Sequence, residues 1–153
     1  MILLDETDRA IVRMLQADAR ITNQDLAERV GLSPSTCLRR VKALEASGLV
    51  AGYAMLLDPK AAGLPGNAFV QISLDQQGRQ ALDRFEARVK LIPEVLACYL
   101  IAGQADYLLH VAYHDAADFE RLHADILTQL PGVVRVQSTL ALRTVKKTTA
   151  LPI

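Results

Sequence analysis

The sequence is short of several things that would narrow its chemistry. Cysteine occurs twice in 153 residues, as Cys37 and Cys98, 61 positions apart, with no second Cys or His at ligand spacing beside either. This argues against a disulfide framework and against a zinc site, and reads both as packed, reduced thiols. An excess of one charge is also missing. Seventeen Lys and Arg balance 17 Asp and Glu, so there is no global basic field, and any contact with nucleic acid has to come from a local patch. Long hydrophobic runs are lacking too. The longest stretch without a charge, Ala61 to Leu74, is fourteen residues broken by Pro65, Gly66, Asn67 and Gln71, whereas a membrane helix needs about 20 apolar residues. The opening Met-Ile-Leu-Leu-Asp-Glu has no basic region and turns acidic at once, unlike a secretory signal, so a cytoplasmic protein is expected. What is present, 51% apolar residues with 22% charged, suits a globular chain of one ordinary domain or two small ones.

The periodicity changes once along the chain. From Leu4 to about Ser47 the apolar residues follow helical spacing, and from Asn67 onward strand-like alternation is interleaved with two further helices. Between them Leu57 to Gly66 holds two prolines and two glycines in ten residues, a linker or hinge. We set the boundary near residue 62, giving a helical domain of residues 1–61 with its linker and a second domain of residues 62–153.

In the first domain Asp5 can cap a helix burying Ile11, Val12 and Leu15 and ending near Arg20. Thr22 starts a two-turn helix burying Leu26, Ala27 and Val30 before Gly31. Ser33 caps a third, with Pro34 at its first position and Cys37, Val41 and Leu44 on its inner stripe until Gly48. Two short helices meeting at a glycine turn predict a helix-turn-helix, to which Leu49–Leu57 can add a strand or wing. Residues 1–32 carry four Arg against six acids, while residues 33–53 carry Arg39, Arg40 and Lys42 against Glu45 alone. At 100° per residue Ser35, Arg39 and Lys42 point away from the apolar stripe and Arg40 flanks them. Such a face either solubilises the helix or meets DNA, and the preceding capped helix and turn favour DNA.

The second domain reads strand, helix, strand, twice over. Ala68, Val70, Ile72 and Leu74 alternate with Phe69, Gln71 and Ser73; Leu82, Phe85 and Val89 mark a helix; Val95–Ile101 is a strand. Tyr107–Tyr113 opens the second unit. A helix capped by Asp115 then turns Phe119, Leu122, Ile126 and Leu130 inward, and Val133–Leu142 returns as a strand. Ile92-Pro93-Glu94-Val95 echoes Leu130-Pro131-Gly132-Val133. A ferredoxin-like βαββαβ domain behind a helix-turn-helix is the economical topology, an α+β protein overall. Because Val95–Ile101 is apolar on both sides, the free face of the sheet is expected to pack on a second copy.

Taken in order, these residues resemble the leucine-responsive regulator and AsnC (Lrp/AsnC) family of transcription factors across nearly the whole chain. The resemblance is carried by Leu4-Asp5-Glu6-Thr7-Asp8-Arg9-Ala10-Ile11, by Asp25-Leu26-Ala27-Glu28-Arg29-Val30-Gly31-Leu32-Ser33 and by Ser35–Glu45 in the first domain. Leu130-Pro131-Gly132-Val133 and the ending Val145–Pro152 carry it in the second. It implies a regulator that binds promoter DNA through Ser33, Ser35, Thr36, Arg39, Arg40 and Lys42, senses an amino acid, and assembles from homodimers into tetramers or octamers, with no cofactor, metal or membrane. It also implies an effector pocket where dimers meet, near the turn Gly103-Gln104-Ala105-Asp106 and the strand residues Gln137, Ser138 and Thr139.

A tight turn with a carboxylate suits a zwitterion, offering backbone N–H groups to its carboxylate and an acceptor to its ammonium. The family's turn often has an acid and an aromatic residue where this chain has Gln104 and Ala105. That makes the pocket less anionic and leaves room, favouring one ammonium and a medium-sized apolar side chain. Asp106 can equally serve as a plain turn cap. Two rival functions remain open at this point. One is a DNA-packing protein with no effector. The other is an enzyme like the haem-precursor decarboxylases, using histidine; His110, His114 and His123 have no nucleophile or metal-ligand spacing beside them.

Overall fold

The computed structural model describes residues 2–153. It forms two compact units, one running through Met55 and taking in the C-terminal residues Lys146–Ile153, the other Leu56–Val145.

Three helices make the first unit: α1 (Glu6–Ala17), α2 (Asn23–Arg29) and α3 (Pro34–Ala46). Each begins on the expected cap. Asp5, Thr22 and Ser33 accept, through their side chains, the amide N–H three residues on, of Asp8, Asp25 and Thr36. α1 stops at Ala17, short of Arg20, because the Asp18 carboxylate takes the Arg20 N–H at 2.9 Å and draws the backbone out of the helix. α2 ends in a Schellman turn, Leu32 N–H to the Ala27 carbonyl and Gly31 N–H to the Glu28 carbonyl, with Gly31 at φ +69° where a Cβ would be strained. Ile11, Val12, Leu26, Ala27, Cys37 and Leu44 form the core, with Val41, Leu15 and Val30 partly buried around them.

The tail 146–153 belongs to this unit by contact, not to the second domain where the sequence pattern put it. Ile153 packs on the helical core, and the Gln16 side-chain amide both donates to the Leu151 carbonyl (3.1 Å) and accepts the Leu151 N–H (2.6 Å). No wing strand forms over Leu49–Leu57, and Tyr53, Met55, Leu56 and Leu57 stand exposed there. A strand needs a paired neighbour, and the chain offers none to this segment among the described residues.

The second unit is a four-stranded antiparallel sheet in the order β2-β3-β1-β4, the ferredoxin-like arrangement. Its strands are β1 (Gly66–Leu74), β2 (Val95–Leu100), β3 (Tyr107–Tyr113) and β4 (Val133–Leu140). One face is covered by α4 (Arg79–Val89) and by α5 (Ala116–Arg121) with the turns that continue it. Ala68, Val70, Ile72 and Leu74 of β1 are buried beneath the helices, as the alternation predicts, with Tyr107, Leu109 and Val111 beside them.

The second helical segment departs from regularity. After Arg121 the backbone widens into one π turn, Leu122–Ile126, and tightens into a 3-10 turn, Leu127–Gln129. The wider step rotates the chain by about one residue relative to an α-helix, so Leu127 is wholly buried and Ile126, expected inward, only partly.

Gly66 lies so close to Tyr113 that an added Cβ would meet its ring at 2.3 Å. Tyr113 in turn packs on Phe119, ring centroids 4.9 Å apart, and so joins the sheet to α5. Burial pushes the Cys98 thiol up to about 11, so it stays protonated, and the wholly buried Cys37 is raised for the same reason.

Candidate functional site

The N-terminus of α3 is built by local bonds. The Ser33 hydroxyl accepts the Thr36 N–H, donates to the Thr36 hydroxyl at 2.8 Å and lies 3.2 Å from that of Ser35. From α2, the Asn23 amide donates to the Pro34 carbonyl at 2.8 Å and locks the two helices of the motif together. Beyond this rigid start Ser35, Arg39 and Lys42 are exposed on one side, and Thr36 is half-buried. Neither Arg39 nor Lys42 has an acidic partner among the described ion pairs. Leu38, an apolar side chain among these polar ones, is also exposed on this helix. Its position 100° from Cys37 was the available signal.

Arg40 corrects the expectation that it shares this face. Its Nη1 donates to Asp5 Oδ2 and to Asp8 Oδ1, both at 2.8 Å, with the guanidinium drawn inward to 29% side-chain exposure. Relative to the apolar stripe Arg40 lies about 60° round the helix, near enough to reach the acidic first turn of α1. The Asp8 N–H and then Arg40 hold the Asp5 carboxyl below the usual carboxylate range.

In the second unit the turn 103–106 joins β2 to β3. Asp106 is engaged structurally: Oδ2 accepts the Leu74 N–H and Oδ1 the Gln77 side-chain N–H, both at 2.7 Å. Ala105 is buried. Gly103 and Gln104 are exposed. On β4, Gln137 and Thr139 lie across from Gln71 and Phe69 on the helix-free face.

Ser138 faces the other way. It pairs with Val70 on the helix side, its Oγ buried without a partner, so it does not share a face with Gln137 and Thr139. Within one protomer the turn and Gln137–Thr139 do not meet. They are two strands apart, roughly 10 Å across the sheet and a further ~7 to 13 Å along it. Two hollows of about 350 and 400 Å³ flank α4, and neither is lined by the turn or by these β4 residues.

The free face itself is apolar at its centre: Phe69 stacks on His110 at 5.0 Å, with Tyr99 exposed at 58% beside Leu108. His110 is also bonded to Asn67. His114 lies against Asp115, and His123 beside Phe119, so the three histidines form no common site. Among the described residues no cluster of His, Cys, Asp or Glu could hold a metal.

Residues 4–51 match the winged helix-turn-helix DNA-binding model, and residues 67–151 match the Lrp/AsnC ligand binding domain. The chain belongs to the Lrp/AsnC family. It is 41% identical to the proline dehydrogenase transcriptional activator of Rhodobacter capsulatus, over 94% of this chain and 93% of that one. A transcriptional regulator of Neisseria meningitidis, solved in complex with L-methionine, superposes with a TM-score of 0.94 at 43% identity over 98% and 97% of the two chains. The feast or famine regulatory protein of M. tuberculosis, also solved with L-methionine, gives 0.86 at 38% identity over 97% and 99%. As an Lrp/AsnC member the protein is a DNA-binding transcriptional regulator with an amino-acid-sensing domain. Its family is one of regulators, and no helix among the described residues is long and apolar enough to cross a membrane.

Proposed function

We propose that this regulator acts in the cytoplasm, binding operator DNA as a dimer through α3 and changing its affinity when a monoamino acid with a medium-sized apolar side chain binds. The observation that carries the DNA reading is the exposed, unpaired pair Arg39 and Lys42 beside the rigid, Ser33-capped helix start. The exposed Ser33 and Ser35 hydroxyls, with the half-buried Thr36 beside them, suit phosphates, and the cations suit phosphates or guanine edges.

The effector reading joins the turn 103–106 of one copy to Gln137 and Thr139 of another, since one protomer keeps them apart. The L-methionine complexes of the Neisseria and M. tuberculosis regulators support the ligand class. Assembly through the helix-free sheet face is supported by exposed Phe69 and Tyr99, and larger assemblies of such dimers would bring the turns together.

Calorimetry with the twenty amino acids, followed by DNA titration with any that bind, tests this. Methionine or leucine is expected to give heat and to shift DNA affinity by about 1–3 kcal/mol, the usual scale of coupling between sites. No heat with any of the twenty would overturn the effector reading and leave a DNA-packing protein.

A further inference from the structure

We infer that Arg40 is a positioning residue: by bridging Asp5 and Asp8 at the start of α1 it fixes the roll of α3 that presents Arg39 and Lys42, and it does not itself touch DNA. This rests on the DNA-binding reading of α3. Three observations support it. First, one guanidinium nitrogen lies 2.8 Å from carboxylates of two residues, 35 and 32 positions away in the chain. Second, the Arg40 Nε is buried without a partner, so that edge of the group faces protein and not an approaching duplex. Third, the cluster of two carboxylates and one guanidinium carries a net charge of −1. A phosphate nearing it is repelled, and Arg40 has no free charge with which to release counterions.

The acceptors are themselves fixed. Asp5 is the α1 cap, its Oδ1 holding the Asp8 N–H at 2.7 Å while Oδ2 takes Arg40. The first turn of α1 is therefore the reference to which α3 is tied. Arg39 precedes Arg40 by one residue, only 100° round the same helix, so a roll of α3 displaces it directly.

The prediction has an unusual sign. Asp5→Asn and Asp8→Asn each remove a negative charge, which by simple electrostatics strengthens DNA binding; Asn at position 5 still caps α1. If Arg40 positions α3, both variants instead weaken binding several-fold, lose discrimination between selected and random DNA, and keep the wild-type salt dependence.

The assay is fluorescence anisotropy of the full-length protein on a duplex that the wild type selects from random sequence, across a salt series, with melting curves for each variant. Arg39→Ala is the control for the reading beneath. The exchange of Arg40→Asp with Asp8→Arg is expected to regain discrimination lost by either single change. Failure of the exchange to do so, in a folded protein or one that no longer folds, overturns the proposal. So does Asp8→Asn binding as tightly as wild type, or Arg40→Ala lowering the salt slope by about 0.9, the mark of one lost phosphate contact. If Arg39→Ala binds unchanged, the DNA-binding reading of α3 fails instead; if it weakens binding while Asp8→Asn does not, only the positioning role fails.

Discussion

Arg39 and Arg40 follow one another on α3, yet 100° of helix rotation gives one to solvent and the other to the acids of α1. Arg39→Ala should therefore cost about 1–3 kcal/mol of specific DNA binding if Arg39 reads a base edge, with relaxed preference at one position and an unchanged melting temperature. A parallel loss on every sequence would make it a phosphate contact. Asp106 calls for a different expectation. Since its carboxylate holds the Leu74 N–H and Gln77, Asp106→Ala should destabilise the fold by about 1–3 kcal/mol whether or not a ligand is present. Urea unfolding of wild type and variant reads this, and equal midpoints would show that the two bonds contribute nothing. Gly66→Ala drives a methyl into the Tyr113 ring and should cost a similar ~1–3 kcal/mol of overpacking, visible as a lowered melting temperature.

The three helices of the first unit start where short-range rules put them, because a cap and its amide lie three residues apart. Their mutual arrangement adds an acid-sensitive joint. Asp5 titrates below its ordinary range, first through the Asp8 N–H and then through Arg40. A carboxyl lowered in the native state contributes stability that is complete above the unfolded value near 3.9 and is lost as pH falls through the lowered one. Amide NMR signals of α1 and α3 should then disperse less as the pH drops below about 4, and Asp5→Asn should remove part of that dependence. Superimposable acid transitions would count against the joint. The π turn after α5 belongs to the same scale: helical spacing predicted Ile126 inward, and with one wide turn Leu127 is wholly buried while Ile126 packs on the core only in part.

For the whole molecule the proposed assembly rests on the helix-free sheet face. Within the strand Val95–Leu100, apolar on both sides, Leu100 pairs with Tyr107 on the helix side and Leu96 sits at the β-bulge. The face proper is centred on Phe69, Tyr99 and Leu108. Phe69→Glu in the full chain should lower the mass seen in sedimentation at micromolar concentration, since an unpaired carboxylate in an apolar interface is costly. A dimer of unchanged strength would place the interface elsewhere.

Period and punctuation, read along the chain, determined the helix-turn-helix, the four strands and their βαββαβ order, and the basic character of α3, because caps, alternation and helical stripes are set by residues within a few positions of each other. Gly31 and the Ser33 cap of α3 were legible for that reason. The tertiary structure alone decided which basic residues remain free, that Asp106 is already bonded, that Ser138 faces the helices, and that the last eight residues return to α1. Each of these depends on partners some 32 to 140 positions away or on strand register. Such partners are chosen by packing the whole chain, where a one-residue slip of a strand or a 100° turn of a helix exchanges an exposed group for an engaged one.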